Sequence, residues 1–303
     1  MKNFLETYNF MIAPMEGVMR PAVIKVCNAL DLTEVWMTPF FRVSDRVPKT
    51  VELKKFMRVF EPERKRVILQ IMGSDAEKLA ETALRGMEAG AYGIDLNCGC
   101  PSRQVTAHGA GADAMREFER TAGIAAAIRE KLGRSFFSIK TRLGFYDVKE
   151  AENFLPLWEN AGSPDMFTLH YRTAKEGYLS VPGCAERLFA AEKLIKNALV
   201  FGNGNIQTLE DADALESAAG VDGTMIGRGF WRDPYILLRK FSPERAAAEA
   251  PDAAAAARIL WQELSKLPFG ELAWCRGSAI EMASLILGAD SPEARELKYN
   301  FQQ

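Results

Sequence analysis

The chain has 303 residues, and its 38 Lys and Arg against 40 Asp and Glu give a formal net charge of −2. Hydrophobic residues make up 48% and charged residues 26%, which excludes a disordered or fibrous chain. The balanced charge excludes a uniformly basic protein that coats nucleic acid. Five cysteines do not fit a disulfide framework and two histidines leave little room for a His-rich metal site, so we expect a reducing compartment and no metal.

Short apolar runs separated by helical stretches dominate the sequence. They lack polar alternation, which is typical of strands buried on both faces of a parallel sheet. The eight runs span residues 10–15, 31–38, 67–72, 92–97, 136–141, 166–170, 198–203 and 222–227.

Helical spacing appears between most of these runs. Residues 75–90 place apolar side chains on one stripe and end at Gly90, residues 116–133 repeat the plan, and residues 208–220 start at Thr208, a predicted N-cap. Eight strands alternating with helices predict an α/β fold, a (β/α)8 TIM barrel. An open doubly wound sheet is the alternative, but no Gly-rich turn follows the first strand.

The alternation stops near residue 235. Residues 245–267 are Ala-rich and predict a helix interrupted at Pro251, and residues 277–288 and 291–301 also look helical. We therefore predict a barrel over residues 1–235 and a small all-helical C-terminal domain over 236–303. The alternative is a set of extra helices packed on the outside of the barrel.

Active-site groups of such barrels lie where strands end at the C-terminal face. Polar side chains end these otherwise apolar runs, and several of them converging on one mouth predict a bound ligand. By this rule the candidates are Pro14, Met15, Glu16, Gln70, Asn97 to Pro101, Lys140, Arg142, His170 to Arg172, Asn203, Gly204, Asn205, Gly227 and Arg228.

Two features in this set predict cofactor chemistry. The glycines of residues 203–205 and 227–229, with Arg228, favour a phosphate site, although each is also an ordinary turn. A lysine at the end of a buried strand is seldom purely structural, so the Lys140 ammonium is placed to face a flavin ring. The alternative for Lys140 is an ion pair with Glu16 or Asp95.

Cys98 and Cys100 are two residues apart, which is not the spacing of a C-x-x-C redox or zinc pair. A cysteine held by the following Pro101 at the mouth of a barrel is well placed to donate or remove a proton. The alternative is that both are small hydrophobic residues near the core, as free cysteines usually are.

An ordered set of motifs resembles the tRNA-dihydrouridine synthases over roughly residues 10–235. The 95–102 segment, DLNCGCPS, and the 169–178 segment, LHYRTAKEGY, are the most specific, and TPFFRVSDR at 38–46 is most similar to the bacterial C-type subgroup, whose enzymes act at position 16 of the D-loop. The other motifs are APMEGV (13–18), LQIMG (69–73), GAGADAM (109–115), IKTRLG (139–144), NGN (203–205) and MIGRG (225–229).

The resemblance implies an FMN-binding barrel with a helical tRNA-binding domain, and it implies roles for single residues. Cys100 would be the catalytic acid, and Asn97, Arg172 and Tyr178 would face the target uracil. The residues expected to bind FMN are Pro14, Met15, Glu16, Gln70, Lys140, His170, Asn203, Gly204, Asn205, Gly227 and Arg228.

The implied reaction has two stages. NADPH reduces FMN, and the flavin N5 then gives hydride to C6 of a uracil while Cys100 protonates C5 from the opposite face. The uracil must leave its stack to be reached. Residues 42–66, the basic segment, carry nine Lys and Arg against four acids, which fits tRNA binding or a solvated helix face. Phe40, Phe41, Phe56 and Phe60 lie in or just before this segment, which fits base stacking or simple packing.

Two other functions compete with this one. A small-molecule enzyme of the dihydropyrimidine or dihydroorotate type also uses an FMN barrel with a cysteine, and an RNA-binding protein without redox work is the rival from another class. No apolar run reaches the roughly 18 residues that span a bilayer, and the N-terminus does not read as a signal peptide. We expect a cytoplasmic monomer without membrane contact.

Overall fold

A computed structural model describes residues 2–267 and 276–300. The described strands are β1 (Phe10–Ile12), β2 (Val35–Met37), β3 (Phe41–Arg42), β4 (Arg66–Met72), β5 (Gly93–Cys98), β6 (Phe136–Arg142), β7 (Met166–His170), β8 (Leu199–Asn203) and β9 (Gly223–Ile226). The described helices are α1 (Lys2–Thr7), α2 (Pro21–Ala29), α3 (Thr50–Met57), α4 (Ala76–Glu88), α5 (Arg103–Thr106), α6 (Phe118–Leu132), α7 (Ala151–Gly162), α8 (Cys184–Glu192), α9 (Leu209–Ala219), α10 (Arg228–Arg232), α11 (Ile236–Phe241), α12 (Pro243–Glu249), α13 (Ala253–Ser265), α14 (Arg276–Leu287) and α15 (Pro292–Asn300).

Eight of the strands form one parallel sheet that curls into a nearly closed barrel. The hydrogen-bonded order is β1-β9-β8-β7-β6-β5-β4-β2, and the short β3 also pairs with β4. The two end strands, β1 and β2, contact each other and complete the circle. The predicted TIM barrel is confirmed, and the open doubly wound alternative is wrong.

Local sequence signals set the element boundaries. Thr208 Oγ1 accepts from Asp211 N at 3.2 Å and the Asp211 carboxylate accepts from Thr208 N at 3.1 Å, so the predicted N-cap of α9 is confirmed. The first strand is shorter than its apolar run because Pro14 has no N–H to donate. The second strand, β2, begins after the start of its apolar run, because Asp31 has a φ of 50°, which interrupts the extended backbone.

The strand register divides the barrel interior into two halves. Residues paired side by side point to the same face, and the inward positions near the strand starts form an apolar cluster against α1. Towards the strand ends the inward positions become polar, as in the neighbours Asp95 and Ser138, or Lys140 and Thr168. The outward positions pack on the surrounding helices.

Helices follow the barrel after residue 235, as the sequence predicts. Pro251 lies in the break between α12 and α13. Helix α13 contacts α2 and α10, and α14 contacts α10 and α13. A docked domain and a set of outer barrel helices would both make these contacts, so the boundary at residue 235 stays a prediction, and residues 268–275 and 301–303 lie outside the described part of this tail.

Candidate active site

A cavity of about 720 Å³ opens at the C-terminal ends of the barrel strands. All fifteen site residues expected from the resemblance line it, although their individual roles stay predictions. The lining residues are Ala13, Pro14, Met15, Glu16, Pro39, Phe40, Gln70, Asn97, Gly99, Cys100, Pro101, Lys140, Thr141, Arg142, His170, Arg172, Tyr178, Asn203, Gly204, Asn205, Ile206, Gln207, Gly227, Arg228 and Glu281.

The cavity next to the ends of β8 and β9 has open space that the described residues leave unfilled. A Cβ added to Gly227 would enter this space, and its one neighbour within 4 Å among those residues would be Met15 Sδ at 3.8 Å. At Gly204 a Cβ would lie 2.6 Å from the Tyr171 ring, and φ is +121°, so only glycine fits there. Within the described residues the Arg228 guanidinium has no hydrogen-bond or ion-pair partner, so its donors are free for an anion.

Lys140 projects from β6 into the same cavity. Its Nζ donates to Asn203 Oδ1 at 3.1 Å, and Asn203 Nδ2 donates to Met225 O at 2.6 Å. The alternative of an ion pair with Glu16 or Asp95 is not what the structure shows, because the ammonium bonds to an amide oxygen. Burial lowers the pKa of Lys140 to about 8, against the opposing attraction of Asp95.

His170 ends β7 beside this lysine. Burial lowers the pKa of His170 well below its usual range, and the nearby Arg142 and Lys140 charges act in the same direction. Its Nδ1 accepts from Arg172 N at 3.4 Å. The imidazole is therefore neutral at pH 7 and offers hydrogen bonds rather than charge.

A chain of hydrogen bonds links the barrel interior to the loop after β5. Asn97 Oδ1 accepts from the backbone N–H groups of Gly99 and Cys100, both at 3.1 Å. Asn97 Nδ2 donates to Gln70 Oε1 at 2.8 Å, and Gln70 Nε2 donates to Asp95 Oδ2 at 2.7 Å. The loop that carries Cys100 is thus tied to strands β4 and β5.

The Cys100 thiol is half-buried at the cavity wall. Burial raises its pKa, so the thiol stays protonated at neutral pH. Cys100 O accepts from Ala112 N at 2.9 Å, and a Cβ on Gly111 would lie 2.7 Å from that oxygen. Cys98, in contrast, is buried and packs between the barrel and its helices, as the alternative for it proposed.

Two buried arginines brace the loops around the cavity. Arg142 Nε donates to Gly99 O at 3.0 Å, and its Nη1 donates to Thr173 O and Gly177 O, each at 2.9 Å. Arg172 Nε donates to Leu179 O at 2.6 Å and its Nη2 to Asn205 Oδ1 at 2.9 Å. Both guanidiniums are therefore largely committed to loop backbone and side-chain oxygens.

Comparison with known proteins decides the family. Residues 11–268 match the family model described as dihydrouridine synthase (Dus). This chain belongs to the dihydrouridine synthase family. The predicted family and enzyme class, a flavin-dependent oxidoreductase acting on a carbon–carbon double bond, are confirmed.

Several relatives share one name, tRNA-dihydrouridine(16) synthase. The Haemophilus influenzae protein is 31% identical over 234 residues, covering 75% of this chain and 74% of that one. The Haemophilus ducreyi protein is 33% identical over 241 residues, covering 75% and 71%. The Escherichia coli K12 protein is 30% identical over 235 residues, covering 75% and 73%.

Solved structures show the same fold. A variant of NCR from Zymomonas mobilis aligns with a TM-score of 0.54 at 12% identity, covering 80% of this chain and 86% of that one. TcOYE with pHBA aligns with a TM-score of 0.58 at 10% identity, covering 80% and 89%. At these identities the likeness concerns the barrel alone.

The basic segment of this dihydrouridine synthase is only partly available for RNA. Arg46 pairs with Glu52 at 2.6 Å, and the buried Lys65 pairs with Asp31 at 2.7 Å. Arg66 begins β4 and so lies at the end of the barrel away from the cavity. Of the phenylalanines in and just before this segment, Phe41 packs edge-on against Phe56, and Phe40 lines the cavity.

Sequence reasoning did not single out Thr141, Gln207 and Glu281 as ligand-facing residues, and it considered Phe40 only for base stacking or packing beside the basic segment. Phe40 follows β2 and Thr141 lies in β6, so the strand-end rule had the signal to include them. Glu281 comes from α14, where nothing in the local pattern distinguishes it from a solvent-facing acid. Its place at the cavity is known only from the packing of α14 near α10.

Two other features bear on the predictions for this synthase. Across residues 2–267 and 276–300, no group of three or more His, Cys, Asp or Glu side chains is arranged to hold a metal ion. Over the same ranges, no helix has the length and apolar character needed to cross a bilayer.

Proposed function

We propose that this chain reduces a uridine of tRNA to dihydrouridine, with FMN as its flavin and NADPH as its reductant. The observation that carries the proposal is that one cavity combines a free guanidinium beside glycines, a buried lysine and a protonated thiol. The uridine at position 16 is the proposed target, because three relatives at 30–33% identity carry that number in their names.

The cavity fits FMN in size and in the chemistry of its lining. Its volume of about 720 Å³ lies within the range of roughly 300–1,000 Å³ usual for ligand pockets. The phosphate would lie at Gly227 and Arg228, where open space meets free donors. Asn203, Gly204 and Asn205 would hold the phosphate from the β8 side. Lys140 and His170 would contact the isoalloxazine and ribityl regions, and the remaining FMN contacts are expected from Pro14, Met15, Glu16 and Gln70.

The residues of this chain supply position and protons. When bound and reduced, FMN provides the hydride that C6 of the uracil accepts. Cys100 gives its proton to C5, so one hydride and one proton together saturate the C5–C6 double bond, and the thiolate takes a proton back from water. A thiol kept protonated by burial suits this role at neutral pH.

Asn97, Arg172 and Tyr178 are the proposed contacts of the extruded uracil. Tyr178 is 73% exposed at the cavity mouth, and its ring lies 5.4 Å from the Arg142 guanidinium. An aromatic ring at this place offers a stacking surface for a base outside its helix. The cytoplasmic location and monomeric state predicted from the sequence belong to this proposal as well.

The loops after β6 and β7 add an exposed aromatic surface beside the mouth. Tyr146 is 60% exposed, and Lys175 Nζ lies 5.4 Å from its ring. Lys175 N donates to Phe145 O at 3.0 Å, which joins the two loops. A ring that stacks bases next to a cation that pairs with phosphate fits the RNA flanking the target.

Substitution at this surface tests the proposed tRNA contact. We expect Tyr146→Ala to raise the KM for tRNA by about fivefold, because one base–aromatic stack contributes roughly 1–3 kcal/mol. Phe189→Ala is the matched control, since Phe189 is also exposed beside a lysine but lies on the outer helix α8. Equal KM values for Tyr146→Ala and wild type would remove this surface from the proposal.

The activity is tested with purified chain, an unmodified tRNA transcript and NADPH. The proposal expects a yellow protein that releases FMN on denaturation and forms dihydrouridine in the tRNA. Reduction of free uracil, or oxidation of dihydroorotate, without reaction on tRNA would favour the small-molecule function. A colourless protein that retains tRNA on nitrocellulose would favour the binding function.

A further inference from the structure

Asp95 is a buried acid inside the barrel that no step of the proposed reaction uses. Its side chain has no solvent exposure, and it accepts from Ser138 Oγ at 2.6 Å and from Gln70 Nε2 at 2.7 Å. Within the described chain it is the last member of the hydrogen-bond series that starts at Gly99 and Cys100. A functional role for this series rests on the proposed role of Cys100.

The direction of every bond in this series is fixed from the Cys100 end. The backbone N–H groups of Gly99 and Cys100 can only donate, so Asn97 must turn its oxygen to them. Its NH2 group then faces Gln70, which must present its own oxygen. The Gln70 NH2 group is thereby directed inward, where it needs an acceptor.

The opposite end of the series supplies the acceptor that this direction requires. Burial raises the pKa of Asp95 to about 7, so its carboxyl group exchanges between the ionised and protonated forms near neutral pH. In both forms Asp95 Oδ2 can accept from Gln70 Nε2, because a protonated carboxyl can place its O–H on the side of Ser138 Oγ. Donors at the Cys100 end and an acceptor at residue 95 together hold one arrangement of the amides between them.

We propose that Asp95 is a positioning residue: it sets the orientation of the Gln70 and Asn97 amides and so holds the Cys100 loop at the cavity wall. Asp95 does not touch the uracil in this role. It acts through two side chains, and removing its acceptor leaves the buried Gln70 NH2 group with only the weak contact to Met37 Sδ at 3.8 Å. Gln70 and Asn97 are then held less firmly in this orientation, and the Cys100 loop loosens.

The test is the alkylation rate of Cys100 by iodoacetamide in the purified flavoprotein, followed by mass spectrometry of the peptide that contains it. Asp95→Leu removes the acceptor with little change in side-chain size, and we expect the rate at Cys100 to rise by about fivefold or more. Asp95→Asn can still accept from Gln70 while donating to Ser138, so its rate is expected near that of wild type.

Thr168→Val is the matched control. Thr168 is also fully buried inside the barrel, and its Oγ1 has no hydrogen-bond partner among the described residues. This variant changes a buried polar residue without touching the series, so its Cys100 alkylation rate should stay within about twofold of wild type. An equal acceleration in Thr168→Val would show a general loosening of the barrel and would overturn the proposal.

An unchanged alkylation rate of Cys100 in folded Asp95→Leu would also overturn the proposal. So would an Asp95→Asn variant in which Cys100 is alkylated as fast as in Asp95→Leu. If Asp95→Leu does not fold, Gln70→Leu interrupts the series one link closer to Cys100 and carries the same expectation and the same contrary result. The alkylation readout is separate from the reaction. A wild-type enzyme that forms no dihydrouridine refutes the proposed function, whereas the rates decide the role of Asp95.

Discussion

The two halves of the barrel interior are built from the same strands but hold different chemistry. Near the strand starts, Ile68, Phe136 and Phe201 fill the interior with apolar side chains. One or two inward positions further along, Ser138 and Lys140 on β6 are polar. The lower half stabilises the barrel by burial, whereas the upper half needs a partner for each polar group.

Within the upper half, the polar groups differ in whether the protein supplies that partner. Asp95 and Arg142 are each satisfied by neighbouring side chains or loop carbonyls. Arg228, by contrast, is exposed along the cavity lining and has no such partner within the described residues, and the space beside Gly227 is open. The satisfied groups hold the wall of the site, whereas the Arg228 guanidinium is available to pair with an anionic ligand.

Among the substitutions that distinguish the two halves of the barrel interior, the largest effect on activity is expected at Cys100. Cys100→Ala should lower dihydrouridine formation by about 10³-fold while NADPH oxidation by the flavoprotein continues, because only the proton to C5 is lost. Cys98→Ala is the control, since this buried neighbour packs outside the barrel interior. Product formed at the wild-type rate by Cys100→Ala would contradict the assignment.

A substitution in the lower half should lower the stability of the barrel and leave the reaction rate of the folded enzyme nearly unchanged. Phe201 is fully buried in the apolar cluster, so Phe201→Ala is expected to lower the free energy of unfolding by about 3–5 kcal/mol. The rate per folded molecule should change little, because Phe201 does not line the cavity. Urea unfolding and activity on the same samples check both halves of this expectation, and a stable but inactive variant would contradict it.

Substitution of Arg228 tests whether its guanidinium binds the FMN phosphate. Arg228→Ala should weaken FMN binding by about 30-fold, since a charge-assisted hydrogen bond contributes roughly 1.5–3 kcal/mol. Arg232→Ala, at the exposed end of the same short helix, should leave the Kd for FMN unchanged. Equal FMN affinity of the Arg228 variant and wild type would move the phosphate elsewhere.

The pH dependence gives a smaller effect. Lys140 has a pKa of about 8, so its ammonium loses its charge as the pH rises from 7 to 9. Above pH 8 the reaction should therefore slow by up to about tenfold for each pH unit. The raised pKa of Cys100 keeps the thiol from causing this fall. Lys140→Arg keeps its charge over this range, so its rate should be flat, and the same fall in that variant would exclude Lys140 as its source.

Much of this site was predictable because strand ends are visible in sequence. Pro14, Gln70 and Arg228 each lie at or just after an apolar run, and closure of the barrel brings such positions together. The motifs added expected roles for Cys100 and Tyr178.

The partners of these residues were not predictable. The bond from Gln70 to Asp95 depends on the register of β4 against β5, and the ion pair of Lys65 with Asp31 depends on long-range packing. Glu281 reaches the cavity from a helix about 50 residues beyond the last strand, where no local pattern indicates it. Sequence periodicity reports which face is buried, not which side chain lies opposite.

The most direct test is mass-spectrometric mapping of tRNA from a strain that lacks its own dihydrouridine synthases and expresses this chain or its Cys100→Ala variant. The account predicts that one D-loop uridine gains two hydrogens with the wild-type chain and none with the variant. The account would be contradicted if a flavin-loaded wild-type chain that oxidises NADPH with a free pyrimidine left every tRNA uridine unchanged.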